Sequence, residues 1–332
     1  MSATTVIGGG AWGTALADHL ARHGHPTRLW AREADVVATI NASHENMRFL
    51  AGVALAPALF ADGDLRHAVE GATMAVLVSP AHALRIVARA LKGALPADAT
   101  VAVATKGIEA ETLALMTDVV AEELAGHPIV ALSGPSFALE VARGQPTAIV
   151  AASSDADAAA RVQQLLSSRS LRIYTQHDVV GVELGGALKN VMAVATGIVE
   201  GLGLGFNTRA ALITRGLAEM TRLGVALGAE PATFAGLAGM GDLVLTCTGS
   251  LSRNRAIGME VGGGKTLAEA LAGKETVAEG VATTRSALAL AERHHVDMPI
   301  VRTVHRVLFD GRPASEAIRD LMGRELRTEV DA

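Results

Sequence analysis

From residue 4 to about residue 175, short apolar runs alternate with longer stretches of helical periodicity. Thr4–Ile7, Thr27–Ala31, Met74–Val78, Val101–Ala104, Ile129–Leu132 and Ala148–Ala152 are largely apolar and do not alternate with polar residues. Such runs suit strands buried on both faces of a parallel sheet. Between them, residues 11–23, Ala81–Lys92 and Thr112–Leu124 repeat their apolar positions every three to four residues, as an amphipathic helix does. Pro80 fits the first turn of the second of these, where its missing N–H costs nothing. Strand–helix alternation of this kind predicts a doubly wound α/β domain.

After about Asp178 the strand-like runs nearly vanish. Val179–Val199, Thr208–Leu227, Thr266–Leu271, Val281–His294 and Thr303–Leu308 read as helices, with Asn207 as the expected N-cap of the second. The pattern divides the chain into a doubly wound α/β domain over residues 1–177 and an all-α domain over residues 178–332. Substrate is expected in the cleft between them. The apolar stretch from Val179 to Leu204 is long, but Glu183, Lys189 and Glu200 interrupt it. It reads as a buried core helix and not as a membrane span.

Composition narrows the picture. The chain is 50% hydrophobic but only 3% aromatic, so its cores are built from Ala, Val, Leu and Ile. A formal net charge of −5 without a basic stripe argues against a nucleic-acid partner. Cys247 is the one cysteine, which excludes an intrachain disulfide and a thiolate metal centre, and no metal site is expected. The N-terminus enters a glycine loop without the basic and apolar regions of a signal peptide, so a cytoplasmic protein is expected.

Gly8-Gly9-Gly10-Ala11-Trp12-Gly13 matches G-x-G-x-x-G between an expected strand and an expected helix, the context that gives the motif meaning. Gly8 permits a tight turn, Gly10 lets a pyrophosphate approach the backbone, and Gly13 lets helix pack on strand. The helix N-terminus offers its N–H groups to the phosphates. At the end of the second strand, Ala31, Arg32 and Glu33 bear on cofactor choice. Arg32 suits a 2′-phosphate, which favours NADPH, and Glu33 keeps NADH open; the plain alternative is a solvated arginine at a strand end.

Further candidates lie where strands end or helices begin. Lys106, in Thr105-Lys106-Gly107, follows a strand at the ligand-facing edge of the sheet. Gly134-Pro135-Ser136-Phe137-Ala138 follows the next strand and offers backbone and hydroxyl groups. Lys189 is mid-helix in apolar surroundings, with Gly185 and Gly186 four and three positions before it. Those glycines lie beside it and leave an open face for ligand or cofactor. A buried lysine has the lowered pKa that proton transfer near neutrality needs, and the alternative is a lysine snorkelling to solvent. Asp242, between glycines, either holds a lysine ammonium or makes an Asx turn. Ser252, Arg253, Asn254 and Arg255 stand at an expected helix start, an anion site or simply an N-cap with solvated arginines.

Taken together these segments resemble the bacterial-type NAD(P)-dependent glycerol-3-phosphate dehydrogenases. Leu188-Lys189-Asn190, Gly201-Leu202-Gly203-Leu204-Gly205, Arg209 to Gly216, Gly239-Met240-Gly241-Asp242 and Glu279-Gly280 extend the match over nearly the whole chain. The resemblance implies a Rossmann-type domain followed by an α-helical one, a cytoplasmic homodimer, and reduction of glycerone phosphate to sn-glycerol 3-phosphate for phospholipid synthesis. It implies Lys189 as the proton donor and acceptor. It places Lys106, Gly134, Ser136, Lys189, Asn190, Asp242, Thr246, Ser252, Arg253 and Asn254 at substrate. It places Gly8, Gly10, Ala11, Trp12, Gly13, Arg32, Lys106, Ala138, Arg253, Val277 and Glu279 at NADP or NAD. Two departures stand out: Ala11 where Ser is common, and Phe206 where a small or acidic residue is common.

The chemistry expected is direct hydride transfer to a ketone, with Lys189 protonating the oxygen, Asp242 orienting Lys189, and the phosphate near Arg253 and Asn254. Two other readings stay open on the residues alone. One is a hydroxy-acid dehydrogenase of the same two-domain build. The other is a cofactor-binding sensor without catalysis, which has no use for Lys189 beside a glycine pair.

Overall fold

The computed structural model describes residues 3–274, 278–326 and 328–329. Eight strands form one sheet: β1 (Ala3–Ile7), β2 (Thr27–Trp30), β3 (Phe60–Asp62), β4 (Ala72–Leu77), β5 (Thr100–Val103), β6 (Ile129–Ser133), β7 (Thr147–Ala152) and β8 (Leu171–Gln176). Helices α1 (Ala11–Arg22), α2 (Ala34–Ser43), α3 (Leu65–Ala68), α4 (Ala81–Leu91), α5 (Met116–Glu123), α6 (Ala138–Ala142) and α7 (Ala156–Leu166) are interleaved with them. The order across the sheet is β3-β2-β1-β4-β5-β6-β7-β8. The chain reverses its direction of travel between β1 and β4, the switch point where doubly wound sheets bind ligands. This is the Rossmann-type architecture expected from the pattern.

The sheet departs from the expectation at one seam. β6 pairs β7 antiparallel, whereas the other strand pairs are parallel. The only helix between them, α6, has five residues. At about 1.5 Å per residue it spans less than half of a five-residue strand at about 3.3 Å per residue, so the chain turns back instead of crossing over. β3 and β8 escape a search for continuous apolar runs. β3 has three residues. β8 is an edge strand whose burial alternates over its first four residues.

The helices α8 (Val179–Gly201), α9 (Phe206–Ala226), α10 (Pro231–Phe234), α11 (Asp242–Thr248), α12 (Arg253–Gly262), α13 (Leu267–Leu271), α14 (Glu279–Arg293), α15 (Pro299–Phe309) and α16 (Ala314–Met322) follow, with a π-helical turn at Leu237–Gly241. α8 is long and apolar enough to cross a membrane by composition, yet its residues 181–199 are all buried within the fold. A helix apolar on every side needs neighbours all round, and here they come extremely close. A Cβ on Gly197 or Gly201 would lie 2.1 or 2.2 Å from the carbonyl oxygens of Arg255 and Met259, and one on Gly258 or Gly262 equally close to those of Val194 and Ile198. The two backbones thus touch at two successive turns, and α12 is held against α8.

Three local expectations are corrected. α9 starts at Phe206 with Gly205 as its N-cap, so Asn207 lies inside the helix. Pro80 is the N-cap of α4 and not a first-turn residue. The face of α8 at Gly185 and Gly186 is not open. A Cβ on Gly185 would meet the Ala238 carbonyl oxygen at 2.4 Å, and one on Gly186 would meet Ser133 Oγ at 2.5 Å and Lys106 Cδ at 3.4 Å. The glycine pair admits the π-helical turn and the end of the sheet against α8, and that packing offsets the helix propensity the glycines give up.

Candidate active site

The glycine loop lies between β1 and α1. Gly8 has φ +132°, and its Cβ would stand 2.8 Å from the Val78 carbonyl oxygen. Gly13 closes the helix onto the turn, since a Cβ there would meet the Gly8 carbonyl oxygen at 1.9 Å. Gly10 is different: a Cβ there would meet nothing within 4 Å. No protein contact demands glycine at that position, whereas close approach of a phosphate to the backbone does. The residues therefore fit a dinucleotide pyrophosphate at the N-terminus of α1, where Ala11 and Trp12 form the first turn. The loop is braced by Asn46, which sequence reasoning missed. Its buried amide donates to Gly9 O and Thr14 Oγ1, both at 2.8 Å. It lies 32 residues beyond Thr14, and nothing in the sequence around it marks that pairing.

Arg32 and Glu33 follow β2 and pair with each other at 2.9 Å, the arginine largely exposed. Ala138 opens α6 and packs against the core beside α1. Val277 lies outside the described residues.

A second group forms where the sheet meets the helical layer. β5 and the turn after it carry Lys106, α8 carries Lys189, and α11 carries Asp242 and Thr246. Lys189 Nζ donates to Asp242 Oδ1 at 2.5 Å and to Thr246 Oγ1 at 2.9 Å. Lys106 Nζ donates to Asp242 Oδ2 at 2.5 Å and to Gly134 O at 3.0 Å. The Thr246 hydroxyl passes its own proton to Asp242 O at 2.6 Å, and Ser136 Oγ donates to Gly134 O at 3.0 Å. One buried carboxylate thus carries two ammonium groups, one on each oxygen. Lys189 does not snorkel to solvent, and Asp242 holds a lysine in place.

Burial pushes the Lys189 ammonium down. The Asp242 carboxylate opposes that and Lys106 adds to it, leaving a pKa of about 8. For Asp242, burial works upward, but the two lysines outweigh it and hold the carboxyl below the usual carboxylate range. An amine that titrates near neutrality can both give and take a proton in the working pH range.

A third group lies at the start of α12. Ser252 is its N-cap and accepts from Arg255 N at 3.3 Å. Arg253 is exposed. Asn254 donates to Asn190 Oδ1 at 2.9 Å and accepts from Gly280 N at 2.9 Å. Arg255 is drawn away from any anion site by Glu200, which it grips at 2.6 and 2.8 Å. Glu279 opens α14. Burial pushes its carboxyl up to about 7, against the Ala81 backbone and the Arg253 charge, which favour the ionised form.

Two domain signatures match the chain. NAD-dependent glycerol-3-phosphate dehydrogenase N-terminus covers residues 3–159, and NAD-dependent glycerol-3-phosphate dehydrogenase C-terminus covers residues 178–319. The chain belongs to the NAD-dependent glycerol-3-phosphate dehydrogenase family. It is 55% identical over 329 residues to glycerol-3-phosphate dehydrogenase [NAD(P)+] of Geobacter sulfurreducens, covering 98% of both chains. It is 52% identical over 327 residues to the protein of the same description from Geobacter sp. (strain M21), again covering 98% of each. The crystal structure of glycerol-3-phosphate dehydrogenase from Coxiella burnetii superposes with a TM-score of 0.94 at 41% identity, covering 97% of this chain and 99% of that one. In the family's terms, the glycine loop lies within the N-terminal signature. Lys189, Asp242 and α12 lie within the C-terminal one.

Proposed function

We propose that this protein reduces glycerone phosphate to sn-glycerol 3-phosphate with NADPH or NADH, and so supplies glycerophospholipid synthesis. The observation that carries the reading is the Lys189–Asp242–Lys106 cluster: a proton-transfer amine of pKa about 8, oriented by a buried carboxylate, beside a second cation at the ligand-facing end of β5.

Gly8, Gly10, Ala11, Trp12 and Gly13 would hold the dinucleotide. Ala138, Arg253, Glu279 and Val277 would complete the nicotinamide side, and Arg32 would meet a 2′-phosphate. Bound there, the nicotinamide supplies the hydride. Lys189 donates the proton to the ketone oxygen as charge develops on it, and takes it back in the reverse direction. Asp242 holds the Lys189 amine in one position, and Thr246 fixes the second of its hydrogen bonds. Lys106, anchored on Gly134 O, supplies positive charge at the sheet edge, and Ser136 lines the same turn. The substrate phosphate sits at the start of α12, where Ser252, Arg253, Asn254 and the neighbouring Asn190 supply donors and positive charge.

The test is the fall in NADPH and NADH absorbance with glycerone phosphate and, separately, with 2-ketoacids. Oxidation of NADPH with glycerone phosphate alone is expected. Turnover confined to a ketoacid would replace this reading with the hydroxy-acid dehydrogenase one. A cytoplasmic homodimer goes with the proposal by family likeness, and analytical ultracentrifugation of the purified chain checks the dimer.

A further inference from the structure

The side chains of Asn190 and Asn254 meet at the junction of α8, α12 and α14, one residue on from Lys189. Their orientation is decided by a group that can only donate. The N–H of Gly280, in the first turn of α14, points to Asn254 Oδ1 at 2.9 Å. Asn254 therefore turns its NH2 the other way, where it donates to Asn190 Oδ1 at 2.9 Å. That leaves the Asn190 NH2 facing only the Gly186 carbonyl at 3.5 Å, too long for a strong bond. A carboxamide nitrogen carries two hydrogens. Each of these two nitrogens thus keeps a hydrogen without a strong internal acceptor, while each carboxamide oxygen is turned onto a donor inside the protein.

The position of Gly280 makes this possible. A Cβ there would lie 2.5 Å from Asn190 O and 2.9 Å from Asn254 Oδ1, so a side chain would drive the N–H away from its acceptor. The Gly280 carbonyl is held from the other side by Thr284 Oγ1 at 2.6 Å. Alongside, α12 presents its own first turn, where Ser252 caps only the N–H of Arg255. Nothing in the resemblance assigns Gly280 a task.

We propose that Gly280 is a positioning residue whose N–H fixes both carboxamides, so that a phosphomonoester dianion meets hydrogen donors at Asn190 and Asn254 and never their oxygens. The proposal rests on the glycerone phosphate reading above. With either carboxamide reversed, a carbonyl dipole would face the dianion in a buried site, where such a contact is most unfavourable.

The test compares glycerone phosphate with unphosphorylated glycerone, using the full-length enzyme with NADPH. Gly280→Ala is expected to raise KM for glycerone phosphate by about tenfold, the loss of one charge-assisted hydrogen bond. The kcat/KM for glycerone and the Kd for NADPH should stay within about twofold. If Gly280→Ala unfolds, Thr284→Val carries the test: it removes the hydroxyl that holds Gly280 from the other side, and its KM rise must again be confined to the phosphorylated substrate. An equal loss on both substrates, or an unchanged KM for glycerone phosphate, overturns the proposal. Wild-type enzyme inactive on glycerone phosphate would instead overturn the functional reading beneath it.

Discussion

Lys189 is held in a buried site by a single carboxylate, and under the proposed mechanism its titration sets the pH behaviour expected of the enzyme. Ketone reduction needs the ammonium form, so its rate is expected to fall as pH rises through about 8; alcohol oxidation needs the neutral amine and should rise over the same range. Rate profiles in both directions check this. Lys189→Ala should cut turnover by about 10²- to 10⁴-fold, with NADPH affinity largely kept by fluorescence titration. Asp242→Asn removes the charge that opposes desolvation of Lys189. Its falling limb in the reduction direction should therefore move to lower pH, together with a loss of rate. At this scale the sequence already marked Lys189, by an apolar helical setting that a lysine enters only with a partner. The partner was legible only as one of two options for Asp242, because an Asx turn and a counter-ion look alike until the fold sets the distance.

Two contacts between helices carry consequences for stability. Gly258→Ala gains about 1 kcal/mol of helix propensity but places a methyl 2.1 Å from the Val194 carbonyl oxygen. Backbone on backbone cannot yield as a side chain can, so overpacking of about 1–3 kcal/mol should win. A lower midpoint of denaturant unfolding checks it. Glu183, on α8, is buried and accepts from Thr117 N at 2.9 Å and Thr117 Oγ1 at 2.5 Å in the first turn of α5. Burial lifts its carboxyl to about 7, although the Thr117 bonds oppose that. A carboxyl raised in the folded state stabilises the fold fully below its unfolded pKa and loses that contribution as pH rises to about 7. Stability should therefore decline between about pH 5 and pH 7, and Glu183→Gln should lessen the decline, measured by urea unfolding at both ends. The periodicity located α5 and α8 but not this bond, because an acid 66 residues away leaves no local trace on a helix start.

Across the whole molecule, Lys106 and Asp242 join the sheet to the helical layer. Lys106 lowers the Lys189 pKa, so Lys106→Ala should shift the reduction limb to higher pH, opposite in sign to Asp242→Asn, besides weakening substrate binding. Opposite shifts in two variants that both lose activity separate tuning from general damage. The 2′-phosphate contact proposed for Arg32 lies just beyond the end of β2. Arg32 is exposed and already paired with Glu33, and an exposed pair is worth at most about 1 kcal/mol. Arg32→Ala is expected to raise KM for NADPH several-fold and leave KM for NADH unchanged.

From the sequence by itself came the alternation that makes a doubly wound sheet, the change to helices near residue 178, the glycine loop and the lysine in an apolar helix. All are local: burial on both faces, a helical period and a turn are each written within some twenty residues. Only the tertiary structure decided that the face beside Gly185 and Gly186 is filled, that β7 runs antiparallel to β6, that Asn46 braces the loop, and that two ammonium groups share Asp242. Each of these depends on the approach of segments far apart in the chain, and a hydrogen bond or a van der Waals contact is decided within a few tenths of an ångström that no spacing along the sequence records.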